Sequence, residues 1–316
     1  MFSHDVPPYQ RELRFGIVAA SCCDYGKSPL QSLSRTSDMM KLNVGCGDRF
    51  AKGWLNVDFH PVSKSVKRVN LLAGLPFSDN NFDVVYSSHV LEHFSRDAAE
   101  GLAREMHRVL KPNGIIRVVV PDLEQTCREY LRILEQATTS ANARSQYEWI
   151  MLELLDQLTR VHPSGLMAAF FERLSKSNNE EMIAYVQSRT ENTPLIFVRP
   201  KTRAERVRDL SLPKMLTKLV YVYIALVKRL FPGRLRDAIV DASRVGEKHR
   251  WMYDRFGMTL LLQSVGFRDI TFLSANESAI PDFVTDHLDT LPDGRPYKNV
   301  SLYAEARKSA SMLCDP

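Results

Sequence analysis

Cysteine is scarce. The five residues, Cys22, Cys23, Cys46, Cys127 and Cys314, are odd in number and their spacing fits neither a disulfide framework nor a zinc site. That excludes a small disulfide-stapled scaffold, points to a reducing compartment and leads us to expect no metal. No apolar run approaches the roughly 18 residues of a membrane span. The longest, LVYVYIALV at 219–227, stops at Lys218 and Lys228. The opening stretch MFSHDVPPYQRELRFG lacks an apolar run and is not expected to act as a secretory signal. The phosphate-binding pattern G-x-x-x-x-G-K-S/T is missing, which argues against a P-loop nucleotide site. No internal repeat or low-complexity tract is visible.

What remains is the profile of a soluble globular protein. Of 316 residues, 44% are hydrophobic and 25% charged, enough for one large or two modest domains with a sizeable core. The net charge of +5 is unevenly spread. Between Pro194 and Arg250 there are fourteen Lys/Arg and five Asp/Glu. Such a segment implies an anionic neighbour or a solvated helical face.

Residues 1–38 are Ser-rich and aperiodic, and are expected to form a poorly ordered extension. Met39 and Met40 stand directly before the first strand and are a candidate natural start. From 41 onward strands and helices alternate. KLNV, WLNVDF, FDVVYSS and IIRVVVPD are apolar runs of strand length. SRDAAEGLAREMHRVLKPNG carries apolar residues at helical spacing, with Ser95 as cap and Pro112 and Gly114 as terminators. The helix between the first two strands has room for at most two turns. Near-continuous apolar strands alternating with helices predict a doubly wound, mostly parallel α/β sheet. The alternation lapses over 123–246, where helix follows helix: LEQTCREYLRILEQ, SQYEWIMLELLDQLTRV, GLMAAFFERLSK and EEMIAYVQSR among them. It resumes with the helix DRFGMTLLLQSVGF, closed by Gly266, and the strands RDITFLS and SLYAEARK. The expected organisation is a core of 39–122 and 247–308, a helical insertion at 123–246 and a tail at 309–316.

The stretch LNVGCGDRF, at 42–50, is a strand ending in a glycine turn. A dinucleotide site would need G-x-G-x-x-G and an acid about 20 residues on. Here only Gly45 and Gly47 are present, and Asp58 follows eleven residues after Gly47. A nucleoside cofactor without a pyrophosphate fits better. Two glycines let the backbone approach it, and the acid ending the second strand can take both ribose hydroxyls.

In order, LNVGCGDRF, LNVDF, LPFSDNNFDVVYSSHVLEHF and RVLKPNGIIRVVVPDLE resemble the class I S-adenosylmethionine-dependent methyltransferases, type 11 in particular, including members found with polysaccharide-biosynthesis genes. The resemblance is strong over 41–125 and weaker over 247–307. It implies S-adenosylmethionine as cofactor and a Rossmann-like methyltransferase fold. Gly45, Cys46 and Gly47 would pass beneath the methionine part, Asp58 would bind the ribose, Leu71 and Leu72 would lie beside the adenine, and Phe59 belongs to the same cofactor-binding set. Ser87, Ser88 and His89 would face the methyl group. Two positions depart from the family pattern. Asn43 stands where the first strand commonly ends in an acid, and Asn70 stands near the adenine-side acid. Asn43 can still accept a hydrogen bond and stays in the cofactor set.

A hydroxyl acceptor gains from a base, and His is the usual choice near neutral pH. His89 lies at the carboxyl end of a central strand, and either serves the reaction or caps the following helix. Glu92 and His93, one turn later, are candidates too, with His93 a candidate substrate contact; the resemblance implies a mostly structural role for LEH. Asp122 could reach the acceptor or cap the next helix. His107 is expected on a solvated face. The run GEKHRWMYD, at 246–254, gathers His249, a second candidate catalytic residue, with Trp251 and Tyr253 as candidate substrate contacts. A ring face to stack and polar tips to hold hydroxyls suit a sugar. The same run could instead be a hinge with Trp251 buried.

The insertion is expected to cap the cofactor pocket and shape the acceptor site. Its basic stretch 213–236 is either a packed face with solvated cations, a peripheral membrane contact or a contact for a phosphorylated acceptor. Nucleic acid is not expected. The pI of 8.9 permits it, but no recognition module is present, and SSHV replaces the N/D-P-P-Y/F run of enzymes that methylate base amines. The reading is a cytoplasmic methyltransferase acting on a sugar hydroxyl in glycan or natural-product biosynthesis. A methyltransferase for another small molecule or a protein stays open, as does a non-catalytic binding protein of the same fold.

Overall fold

The computed structural model describes residues 39–138, 140–160, 165–190 and 248–310, with Leu219, Tyr223, Leu226 and Val227, which are helical. The expectations for 1–38, for most of 213–236 and for 311–316 lie outside the described residues. Among the described residues no helix is long and apolar enough to cross a membrane.

Seven strands form one sheet: β1 (Lys41–Val44), β2 (Trp54–Asp58), β3 (Val66–Arg68), β4 (Phe82–Ser88), β5 (Leu110–Pro121), β6 (Phe267–Leu273) and β7 (Ser301–Lys308). Their order is β3-β2-β1-β4-β5-β7-β6. The first five are parallel, and β7 runs antiparallel to both β5 and β6. The chain winds outward from β1 in both directions, so the doubly wound, mostly parallel sheet is as expected. The order reverses between β1 and β4, the kind of crevice where open α/β sheets hold ligands.

The described helices of two turns or more are α1 (Arg96–Val109), α2 (Leu123–Gln136), α3 (Ala141–Thr159), α4 (Gly165–Lys176), α5 (Glu180–Arg189) and α6 (Arg255–Ser264). In α1 the Ser95 hydroxyl accepts from the Ala98 amide, and Ala99, Leu102, Ala103, Met106 and Val109 form the buried face. Burying Leu102, Met106 and Val109 is worth roughly 1.5–3 kcal/mol each in transfer free energy. That face and the Met258 and Leu262 side of α6 cover Leu42, Val44, Val85, Ile116 and Val118 on one side of the sheet. The opposite side, with Trp54, Val84, Tyr86, Ile115 and Val119, is covered by Ala275, Ile280, Phe283 and Leu288 of the β6–β7 connection.

Four local expectations are corrected. Helix α1 ends at Val109, three residues before Pro112, because Leu110 already pairs with Phe82 on β4. The ladder resumes at Val84 and Ile115, so Pro112, Asn113 and Gly114 sit in a bulge. A Cβ on Gly114 would lie 2.9 Å from the Asp83 carbonyl, which is why the bulge takes glycine. Strand β3 was not foreseen, since the three residues VKR carry no apolar alternation. No helix forms between β1 and β2; the nine-residue link is a series of turns. His107 is not on a solvated face. Its ring packs edge-on against Phe267 at 4.9 Å, and burial lowers its pKa.

Helices α2 to α5 follow the sheet as the sequence predicts. Trp149, Phe170, Leu174, Met182 and Val186 give α3, α4 and α5 a core of their own. Asp122 and Tyr253, where the chain leaves and rejoins the sheet, are bridged, and the Leu123 amide donates to the Tyr253 carbonyl at 2.9 Å. The His249 amide donates to the Gln157 carbonyl at 3.0 Å, and the Asn299 side chain donates to the Gln187 and Thr190 carbonyls.

Candidate functional site

The turn after β1 is held in the left-handed region, with φ of +70° at Gly45 and +53° at Gly47. Glycine alone adopts this without strain. A Cβ on Gly45 would come within 2.4 Å of Val90, whereas one on Gly47 would meet nothing within 4 Å. Gly45 is therefore packed from behind, and Gly47 borders open space. The Gly45 and Cys46 amides both donate to the Val57 carbonyl.

Asparagine replaces the missing helix. Asn43 donates to the Arg49 carbonyl and to the Asn56 side chain, each at 3.0 Å, while Asn56 donates to Ala51 and Trp54. Both side chains are buried, so Asn43 braces the turn from below. Arg49 donates to the carbonyls of His287 and Thr290 and stacks on Tyr297, tying the turn to the β6–β7 connection.

At the end of β2, Asp58 accepts the Gly47 amide at 2.9 Å and the His60 amide at 2.7 Å. A carboxylate offers about four acceptor positions, so about two remain for ribose hydroxyls. Phe59 and Leu72 expose apolar surface at the ends of β2 and β3, 47% and 64% accessible. Leu71 is half-buried beside them, and Asn70 caps their short turn by accepting the Leu72 amide. Cys46 is buried. Burial and the nearby Asp58 push its thiol up to about 12, so it lines the turn as a neutral group and not as a nucleophile.

Ser87 and Ser88 divide. Ser87 is buried and donates to the Val44 carbonyl, a tie between β4 and β1 and not a surface for the methyl group. Ser88 is partly open. His89 follows with φ +53°, a conformation that costs a non-glycine residue roughly 1–3 kcal/mol. It does not cap the next helix; Ser95 does that. Its Nδ1 lies 3.1 Å from Glu92 Oε1, and its Nε2 lies 3.1 Å from the Ser301 hydroxyl. Burial lowers its pKa despite the neighbouring carboxylate, so the ring is held neutral.

Glu92 is completely buried. Burial alone would raise its carboxyl; the approach of His89, His93 and His249 outweighs this and holds it at about 2. The Nδ1–Oε1 approach is close, but it lies off the line of a regular hydrogen bond, and neither carboxylate oxygen has an aligned donor. The Glu92 carbonyl accepts the Arg250 and Trp251 amides, which brings His249 against the Leu91–His93 turn. The His93 and His249 rings meet edge-on at 5.0 Å. Burial drops the His249 pKa to about 4.

The remaining candidates separate from this cluster. Asp122 caps α2 by accepting the Gln125 amide at 3.0 Å. Tyr253 is corrected from a substrate contact to a core residue, with its ring buried beside Met258 and Leu262. Trp251 is not the buried hinge; it is 42% exposed, with the Arg96 guanidinium over one face at 4.9 Å. The sequence does not mark Ser301, which belongs to no local motif, and it offers Glu92 as a candidate without its role beside His89. The i, i+3 spacing of His89 and Glu92 was the available signal for that role.

Residues 42–118 match the family described as "Methyltransferase domain". This segment is a methyltransferase domain. Its cofactor is S-adenosylmethionine, and the residues fit: an open approach at Gly47, spare acceptor positions on Asp58 and apolar surface at Phe59 and Leu72. No curated protein matches the chain. Among solved structures, the 4+2 cyclase SpnF shares 24% identity over 26% of this chain and 38% of its own, with a TM-score of 0.22. An S-adenosylmethionine-dependent methyltransferase from Thermotoga maritima shares 12% over 87% of this chain and 84% of its own, with a TM-score of 0.34. A Burkholderia thailandensis N1-methyltransferase with bound S-adenosylhomocysteine shares 21% over 27% and 46%, with a TM-score of 0.24.

Proposed function

We propose that this protein methylates a hydroxyl of a sugar or a similar polyhydroxylated acceptor, in the cytoplasm, within polysaccharide or natural-product biosynthesis. The observation that carries the reading is His89. It stands at the carboxyl end of β4, strained, neutral and held between Glu92 and Ser301. When bound, S-adenosylmethionine supplies a sulfonium methyl group, and a carbon–oxygen bond replaces its carbon–sulfur bond. Gly45, Gly47 and Asp58 would hold it.

His89 is suited to the acceptor's proton. A carboxylate can only accept, so Glu92 favours the tautomer with the proton on Nδ1. Nε2 then carries the lone pair and accepts from the Ser301 hydroxyl. An incoming acceptor hydroxyl would take the place of Ser301 and leave its proton on Nε2. Trp251, whose amide donates to the Glu92 carbonyl, exposes an aromatic surface, which suits a sugar ring. Helices α2 to α5 would cover the acceptor.

The test is methyl transfer to a panel of glycans and nucleotide sugars, followed by mass spectrometry. His89→Ala is expected to lower turnover about a hundredfold to ten-thousandfold and to leave S-adenosylhomocysteine affinity unchanged. Unaltered turnover in that variant would retire His89 as the base.

A further inference from the structure

The cluster behind His89 has more ligating power than a proton relay uses. Glu92, His93 and His249 each place a donor atom within 4.8 Å of the other two. Donors sharing a tetrahedral ion at about 2.1 Å are about 3.4 Å apart, so closing the set asks for up to about 1.4 Å of side-chain adjustment at its widest pair. The Glu92 carboxylate is fully buried and has no aligned hydrogen-bond donor. Buried carboxylates without a donor are rare, and each asks what satisfies it. His93 Nδ1 lies 3.2 Å from the Lys248 carbonyl. A carbonyl can only accept, so this contact places the proton on Nδ1 and frees Nε2 as a ligand. Metal-binding histidines are oriented in this way. His89 approaches Oε1 at 3.1 Å, and Oε2 has no hydrogen-bond donor.

We propose that Glu92, His93 and His249 bind a divalent transition-metal ion such as zinc. Two imidazoles and one carboxylate suit such ions and leave coordination positions open. The site rests on the methyl-transfer reading only for its purpose: an ion beside His89 would bind and polarise the acceptor hydroxyl. Its existence rests on the cluster alone. The expectation of no metal, drawn from cysteine spacing, did not consider histidines that meet from opposite ends of the chain.

The experiment uses the full chain, stripped with chelator. Zinc is titrated by calorimetry, and Co2+ is added as a spectroscopic probe. One ion per chain is expected, with Kd at or below the micromolar range and visible Co2+ absorption bands. Glu92→Gln preserves shape and is expected to weaken zinc at least a hundredfold, as is His249→Ala. Circular dichroism checks that each variant is folded, and if His249→Ala is not, Glu92→Gln decides alone. An absence of stoichiometric binding, or equal binding in wild type and Glu92→Gln, overturns the site. S-adenosylhomocysteine titration and methyl transfer on the same samples keep the two readings apart. Methyl transfer without stoichiometric zinc binding sinks the site and spares the reaction, and zinc binding without transfer to any hydroxyl does the reverse.

Discussion

Arg117 and Glu92 are both sealed inside the protein, yet their surroundings are opposite. Arg117, in the middle of β5, donates to Asp289 and Glu305 at 2.7 Å each, and to the carbonyls of Ser274 and Glu277. Tyr86 and Ser278 also donate to these carboxylates, and the Ala279 amide does too. Phe283 and Tyr303 flank the guanidinium. Around Arg117 the buried charge is closed by the chain itself, and the β6–β7 connection is fastened to the sheet. Around Glu92 the chain supplies imidazoles and no aligned donor. Completed polar networks hold folds together; an incomplete one of the same depth marks a place for something from outside.

That contrast can be broken from its strong side first. Arg117→Met removes the cation and leaves two buried carboxylates facing each other. Loss of one partner from a buried ionic cluster costs about 3–5 kcal/mol, so the urea midpoint should fall steeply. A loss below about 1 kcal/mol, on the scale of an ordinary substitution, would mean that the network does not secure the β6–β7 connection. Asp58 is an intermediate case, a carboxylate half used by main-chain amides and half open. Asp58→Ala should weaken S-adenosylhomocysteine by about 1.5–3 kcal/mol, the worth of hydrogen bonds to a charged group, read by calorimetry. Equal affinity would take Asp58 out of the cofactor site. The smallest effect is expected at Glu92. In metal-free protein, Glu92→Gln should change the unfolding free energy by less than about 1 kcal/mol or raise it, since removing an unpaired buried charge relieves a cost. A fall as large as that of Arg117→Met would show that Glu92 is satisfied by its own histidines.

Much of the fold could be read before the structure. Strands β1, β2, β4 and β5 announce themselves as apolar runs, and helices α4 and α5 begin and end where their periodicity does. The glycine turn and Asp58 were legible because their chemistry is local. What escaped was either too short or too distant. Strand β3 has three residues and no pattern. Pro112 reads as a helix stop, but it serves a bulge in a strand already under way. Arg117 looks like an interruption in IIRVVV, because its partners Asp289 and Glu305 are 172 and 188 residues away. His249 was noticed for its aromatic neighbours. Its meeting with Glu92 and His93 depends on where the long excursion after Asp122 lets the chain return.

That return has an evolutionary consequence. Asp122 and Tyr253 form a closed stem from which the excursion hangs. Once the ends of a loop are fixed, each doubling of its length adds only about 0.6 kcal/mol of closure entropy. Whatever hangs from the stem can be shortened, extended or exchanged between relatives without rethreading the sheet. His249, on the returning limb four residues before Tyr253, would keep the ties of its neighbours Arg250 and Trp251 to Glu92 through such a swap. The incoming segment would have to replace the Gln157 carbonyl that the His249 amide uses. The stem is thus the boundary at which a chimera could receive a new acceptor domain while retaining its chemical centre.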